Sequence, residues 1–327
     1  MNANILITGD SGYIGSALIE YLNQQPFVNK VIGYDIINGN DILHLSSLVT
    51  ILTSNNINVV IHLAALSSVS ACNDNPSQAF KINGDGTNNV LNAMKEAGCK
   101  HIIYASTSSI YGNNSDLPYT EDMLPAPCSS YGSSKLLGEE AIYNHYSTQP
   151  TDSNYLIFRM FNVVGTSGFE SIDSKSNAGY DRLFAALESG HITIYGNDYD
   201  TNDKTCERDY VSLKDVCHAY LLGINCVLSR NNIRETINIC TCNPISVNQI
   251  ITTWNTLSKS IQNNNINTLN HHLLPHVKYN YGPRRLGDPS KVYGSNTKAE
   301  KILQWTPQRK IEDIILDLAM DKKLTHV

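Results

Sequence analysis

The first half of the chain alternates between two hydrophobic periods, and that alternation most narrows what it can fold into. Short runs rich in β-branched residues (Ile5–Thr8, Val31–Tyr34, Val59–Leu63, Ile102–Ala105 and Tyr155–Met160) read as strands buried on both faces. Between them, Tyr13–Leu22, Leu45–Thr53, Gln78–Ala97 and Ser133–Tyr146 carry helical spacing. Parallel neighbours need crossover connections, so strands alternating with helices predict an α/β chain with a doubly wound parallel sheet. From about Thr166 the rhythm changes. Helices over Asp181–Glu188, Leu213–Val227 and Val247–Ser260 mix with short strands at Thr193–Tyr195, Thr236–Ile239 and Val277–Tyr279, and a last helix runs from Ile311 to Asp321. This predicts a first domain over 1–165 and a smaller C-terminal α/β lobe over 166–327, with some of the later chain returning to the first domain. No internal repeat is visible, and the Asn-rich stretch Gln262–Asn270 reads as a surface loop.

Composition limits the partners. At 327 residues the chain is long enough for one large domain or two intimate ones, and its formal charge of −6 gives no reason to expect a nucleic acid or an anionic membrane. The apolar stretches fall short of the roughly 20 residues a membrane helix needs, and MNANILITG has no basic segment ahead of its first strand. A cytoplasmic protein without a signal peptide is expected. The eight cysteines show no CxxC pair and no metal-finger spacing; Cys240 and Cys242 read as reduced thiols and no metal is expected.

The strongest local feature is NILITGDSGYIGSAL. Gly9, Gly12 and Gly15 follow a strand and open an amphipathic helix, with Ser11, Tyr13 and Ile14 between them. Glycines here permit a tight turn, close approach of backbone N–H groups to a pyrophosphate, and close helix–strand packing. The helix N-terminus adds unpaired donors and partial positive charge. About 20 residues later the second strand ends in Asp35, a carboxylate suited to both hydroxyls of an adenosine ribose and repulsive to a 2′-phosphate. No Lys or Arg follows before Lys81, so NAD rather than NADP is expected, with Asp41 and Ile42 flanking the adenine.

The G-x-x-G-x-x-G spacing is that of short-chain dehydrogenases/reductases. Further motifs carry the likeness: HLAAL (His62–Leu66), ending a strand counted as the fourth; Asn83 in KINGDGT; YASTSSIYG (Tyr104–Gly112); and Tyr131–Lys135 as Y-x-x-x-K. The chain resembles the extended branch of that superfamily, the nucleotide-sugar epimerases and dehydratases, along essentially its whole length. The resemblance implies a Rossmann-type first domain with Leu63, Ala64, Ala65, Asn83, Ser106, Met160, Tyr131 and Lys135 at the cofactor. From the residues alone, Tyr131 and Lys135 stand four apart on one helix face. An ammonium beside a phenol stabilises phenolate, which predicts a Tyr131 pKa below the usual ~10 and a usable proton acceptor. By resemblance, Tyr131 exchanges a proton with a sugar hydroxyl, Thr107 hydrogen-bonds that hydroxyl, and Lys135 also holds the nicotinamide ribose.

The family's 4,6-dehydratases carry Asp-Glu directly after that Thr; here the residues are Ser108 and Ser109. Elimination of water needs a second acid/base pair, which is missing, so oxidation and re-reduction at C4 is the expected chemistry. Gly196–Val216, with its Arg208-Asp209-Tyr210 triplet, is similar to a segment typical of UDP-galactose 4-epimerases. The resemblance places Asn162, Asn177, Arg208 and Arg285 at sugar phosphates, Asp288 at the uridine ribose, and Ser67, Thr107 and Ser108 near the sugar. Arg forks suit phosphate oxygens. The position that gates the C2 substituent is Val292, beside Tyr293, and a small residue there leaves room for an N-acetyl group. The expected activity is 4-epimerisation of a UDP-hexose of the UDP-glucose/UDP-galactose type. UDP-GlcNAc or UDP-glucuronate 4-epimerisation, a net nucleotide-sugar oxidoreductase and a non-enzymatic sensor are the alternatives. The helices Gln78–Ala97 and Ser133–Tyr146 imply, by the same resemblance, a homodimer built on a four-helix bundle.

Overall fold

The computed structural model describes residues 3–167, 182–263, 274–285 and 287–320. Six parallel strands form the main sheet: β1 (Ala3–Thr8), β2 (Val28–Tyr34), β3 (Val59–His62), β4 (His101–Thr107), β5 (Tyr155–Met160) and, late in the chain, a strand over Arg234–Ile239. In chain order the helices around the first five are α1 (Tyr13–Asn23), α2 (Leu45–Ser54), α3 (Val69–Asp74), α4 (Pro76–Phe80), α5 (Gly86–Ala97) and α6 (Ser130–Ser147). Beyond them come β6 (Asn162–Val164), α7 (Arg182–Glu188), β7 (His191–Tyr195), β8 (Glu207–Ser212) and α8 (Leu213–Ser229). Next are β9 (the Arg234–Ile239 strand), β10 (Pro244–Ser246), α9 (Val247–Asn263), β11 (Lys278–Gly282), β12 (Lys291–Val292), α10 (Thr297–Leu303) and α11 (Ile311–Met320).

The main-sheet order is β2-β1-β3-β4-β5-β9. Alternate residues of each strand feed two apolar layers, as a pleat of period two requires. Ile5, Ile7, Val59, Ile61, Ile103, Leu156 and Phe158 face α1, α8 and α10. Leu6, Val60, Ile102, Tyr104 and Ile157 face α2, α5 and α6. Both faces are thus covered, which is why these strands read as continuous apolar runs. The chain leaves β1 to one side for β2 and returns to the other side for β3, so the sheet has a switch point at the carboxyl ends of β1 and β3, where ligands of such folds bind.

Two expectations change, and a third becomes specific. The HLAAL segment closes β3, the third strand in chain order, not the fourth. Gln78–Ala97 is helical throughout, but not as one α-helix: a π-turn over Lys81–Asp85 interrupts the α-helical ladder between α4 and α5. Periodicity cannot register that extra residue, and π-turns of this kind gather at functional sites. Some later chain is expected to return to the first domain, and the returning segments are identified: β9, the Thr236–Ile239 strand, pairs with β5, and α8, the Leu213–Val227 helix, lies on the main sheet. Hydrophobic period says that a segment is a buried strand; it does not say which sheet receives it. The small lobe keeps β8 between β10 and β12, with β6 also on β8, the parallel pair β7–β11, and a core around Trp254, Phe184 and Ile314. Asp181, Asp321 and most of Gln262–Asn270 lie outside the described residues. Among the described residues no helix is long and apolar enough to cross a membrane.

Candidate active site

The glycine turn is built for close approach. Gly9 has φ +75° at the end of β1, and a Cβ there would stand 2.6 Å from the Ala64 backbone nitrogen, across the switch point. A Cβ on Gly15 would collide with the Gly9 carbonyl, so α1 can start directly over the turn only with glycine there. Gly12 caps α1 with no side-chain hydrogen bond, so the N-terminal end of this 11-residue helix carries no competing side-chain cap. Ser11 lies in the same turn, and its N–H donates to Asp35 Oδ2 at 3.2 Å. Asp35 is buried at the end of β2, where Oδ1 also accepts from the Ile37 N–H at 2.9 Å. Tyr13 and Ile14 are committed to packing, and the Tyr13 hydroxyl donates to the Gly165 carbonyl at 2.6 Å. Asp41 accepts from the Leu43 N–H at 2.8 Å, and Ile42 is buried in the core under α5.

Leu63, Ala64 and Ala65 follow β3, and the Ala64 N–H donates to the Thr8 hydroxyl at 3.3 Å. Asn83 is carried inward by the π-turn. Its amide accepts from the Leu66 N–H at 2.7 Å and donates to the Leu66 carbonyl at 3.1 Å and Ser134 Oγ at 2.9 Å. Asn83 therefore ties the loop that holds Ser67 to helix α6.

Thr107 ends β4, and Tyr131 and Lys135 occupy the first two turns of α6, whose start is capped by Ser129 accepting from the Gly132 N–H. Thr107 donates to Ser109 Oγ at 3.2 Å and is hydrogen-bonded to the Tyr131 phenol. Ser108 opens the following 3-10 turn, and no carboxylate replaces it. One expectation about this trio is overturned. Burial pushes the Tyr131 pKa up to about 12, and the Thr107 hydrogen bond recovers only part of that rise. Lys135 is itself buried, its Nζ 4.1 Å from the centroid of the Tyr104 ring, and burial lowers its pKa to about 7. Desolvation is the largest cause at both groups and acts against the charged form of each.

Sequence reasoning missed the polar core behind this trio. Ser106, next to Thr107, donates to Glu139 Oε1 at 2.6 Å; Arg159 on β5 grips both carboxylate oxygens, Nε–Oε1 at 3.0 Å and Nη2–Oε2 at 2.7 Å. Glu139 and Arg159 are 0% and 3% exposed. Glu139 lies one turn beyond Lys135, and its charge opposes the drop in the lysine's pKa. Also missed was His62, fully buried between Thr8 (Nδ1···Oγ1 2.7 Å) and Thr87 (Nε2···Oγ1 3.1 Å); burial first, then the Lys135 charge, lower its pKa to about 3. The period-two pattern marks both as strand or helix residues, but their partners lie 20 to 54 positions away.

A cationic cleft of about 500 Å³ lies between Asn113, in the segment after β4, and Arg284, Arg285, Gly287, Asp288 and Pro289 of the second lobe. Arg208 on β8 pairs with Asp288 at 2.6 Å, and Tyr199 donates to the other Asp288 oxygen at 2.8 Å. Arg285 stacks 4.3 Å from the centroid of the Tyr195 ring. Met160 closes β5, Asn162 opens β6 beside it, and Val292 packs against a cluster of Tyr111, Tyr119, Phe161 and Cys240. Asn177 lies outside the described residues. Among the described residues, no group of His, Cys, Asp and Glu could hold a metal.

A parallel sheet with a glycine turn at its switch point, and a Thr, Tyr and Lys trio beside it, has close counterparts. The family model described as NAD dependent epimerase/dehydratase matches residues 5–240. The chain belongs to that family. A UDP-glucose 4-epimerase of Lactobacillus helveticus is 28% identical over 342 residues, which covers 95% of this chain and 94% of the relative. The UDP-glucose-4-epimerase of Stenotrophomonas maltophila, solved with NAD and formylated UDP-arabinopyranose, superposes with a TM-score of 0.82 at 25% identity, covering 97% of this chain and 96% of that one. The Bifidobacterium longum enzyme with NAD+ and UDP gives a TM-score of 0.79 at 26% identity, with 98% of both chains covered. This epimerase/dehydratase chain thus shares its overall fold with these relatives. The cramped Gly9 and Gly15, an α1 N-terminus with no side-chain cap and the buried Asp35 carboxylate beside it fit a dinucleotide such as NAD.

Proposed function

We propose that the chain interconverts the C4 epimers of a UDP-hexose, of the UDP-glucose/UDP-galactose type, through a transient 4-keto sugar. The observation that carries this reading is the convergence of Thr107, Tyr131 and Lys135 at the carboxyl end of the sheet, with Ser108 and Ser109 where a dehydratase has carboxylates. The glycine turn and α1 hold the pyrophosphate, Asp35 the adenosine ribose, and Lys135 the nicotinamide ribose. Bound NAD supplies the acceptor that takes a hydride from C4 and gives it back. Tyr131 takes the O4 proton in one half-reaction and returns it in the other, while Thr107 holds that oxygen. Starting from a pKa of about 12, Tyr131 needs neighbouring positive charge to do so, and Lys135 provides it when protonated. In the second lobe Arg208 and Arg285 face the diphosphate, Asp288 orients Arg208, and the exposed Tyr195 ring offers a stacking face. Val292, a small residue at the sugar end, favours a second reading in which the C2 substituent is N-acetyl. Purified protein incubated without added NAD and followed by proton NMR tests all of this: UDP-glucose should yield UDP-galactose. UDP-GlcNAc and UDP-glucuronate tested alongside rank the substrates; turnover only with added cofactor would point to a net oxidoreductase.

The chain reads as a cytoplasmic homodimer of two-lobed subunits, divided near residue 165, with β9 and α8 returning to the first lobe. Phe80 on α4 and Leu137 on α6 are 37% and 41% exposed, and Leu137 Cδ1 stands 3.5 Å from a Cβ built on Gly84. These two apolar side chains, on α4 and α6 with the π-turn between them, support an interface with a second copy across a two-fold axis.

A further inference from the structure

Asp10 sits between Gly9 and Ser11, and no part of the chemistry above uses it. The Gly9 N–H donates to the Tyr34 carbonyl at 2.9 Å, which lays the turn against the end of β2. The Asp10 side chain then fills the space over Gly33, two residues before Asp35. A Cβ on Gly33 would stand 2.9 Å from Asp10 Oδ1 and collide with Oδ2, so this carboxylate fits only because β2 has a glycine there. The next residue, Ser11, hydrogen-bonds Asp35, so both carboxylates occupy one corner of the sheet. Asp10 Oδ1 is buried without a hydrogen-bond partner, and neither acid is ion-paired among the described residues. Burial, and then the Asp35 charge, raise the Asp10 pKa, as expected of two acids in one corner.

We infer that Asp10 is a second specificity-determining carboxylate, which with Asp35 excludes a dinucleotide bearing a 2′-phosphate. The inference rests on the reading that Asp35 meets the adenosine ribose. Asp35 alone supplies hydroxyl acceptors, so its loss is expected to weaken NAD. Its loss does not empty the corner of negative charge. Removing Asp35 also removes one of the two causes that disfavour ionised Asp10, and it leaves the Asp10 carboxyl group over Gly33 in the same corner. Both must be neutralised before a phosphate is tolerated.

Wild type, Asp10→Asn, Asp35→Asn and the double Asn variant are each incubated with equimolar NAD and NADP in excess, desalted, and their bound dinucleotides extracted and quantified. Asparagine keeps the shape of each side chain, and retained dinucleotide reports an intact fold; a parallel set of Ala variants replaces any Asn variant that fails this control. Wild type and both single variants should retain NAD over NADP, and only the double variant should admit NADP, with a bound ratio shifted by on the order of tenfold or more beyond Asp35→Asn. If Asp35→Asn admits NADP as readily as the double variant, Asp10 contributes nothing and the inference fails while the Asp35 reading stands. If the folded double variant excludes NADP as strictly as wild type, the ribose is not at this corner and both readings fall.

Discussion

Acid should destabilise this fold through one residue beneath the cofactor site. His62 is fully buried, hydrogen-bonded by two threonines, and lowered from 6.5 to about 3, first by burial and then by the Lys135 charge. The folded state therefore keeps His62 neutral across a range in which the unfolded chain binds a proton. Stability from this group is fully present above about pH 6.5 and is lost as pH falls toward 3. Between pH 7 and pH 4 the unfolded state gains nearly two and a half units of protonation free energy that the folded state forgoes, about 3 kcal/mol at 1.36 kcal/mol per unit. Such a loss is a large part of a typical domain's margin. Urea titrations of wild type and His62→Asn at pH 7, 5.5 and 4 isolate it, since carboxylate and Lys135 titrations are common to both. The variant will be less stable at pH 7, but its decline to pH 4 should be smaller by about 3 kcal/mol. Equal declines in the two proteins would refute the argument and place the acid sensitivity elsewhere.

Tyr131→Phe keeps the ring and removes the proton acceptor: turnover of UDP-glucose should drop by roughly 10²–10⁴ while extracted NAD is unchanged, and near-normal turnover would sink the mechanism. Arg159→Met leaves Glu139 buried and uncompensated, which should cost about 3–5 kcal/mol in urea unfolding, and adding Glu139→Gln should restore part of it; strictly additive losses would show the pair is not coupled. Wild type should be a dimer by light scattering at micromolar concentration and Leu137→Glu a monomer; a wild-type monomer would contradict the proposed interface.

Much of this protein is written in local pattern. The glycines stand where a strand hands over to a helix, and Asp35 ends the next strand; those positions follow from turn geometry and period, which involve neighbours in sequence. Tyr131 and Lys135 share a helix face for the same reason, because a separation of four is one turn. What the tertiary structure alone decided depends on segments far apart in the chain. The sheet that receives β9 is chosen by which apolar edge is left open after β5, not by anything within Arg234–Ile239. The π-turn that swings Asn83 onto Leu66 and Ser134 arises from packing between α4, α5 and α6. The direction of the Tyr131 shift was reversed for a similar reason: spacing reports that an ammonium is near, but burial is set by everything else that closes over the site, and desolvation won. Glu139 and Arg159, like Asp10 and Asp35, become legible only once β2, β4, β5 and α6 are brought side by side, since the strength of a buried charge pair depends on distances that no one-dimensional pattern contains.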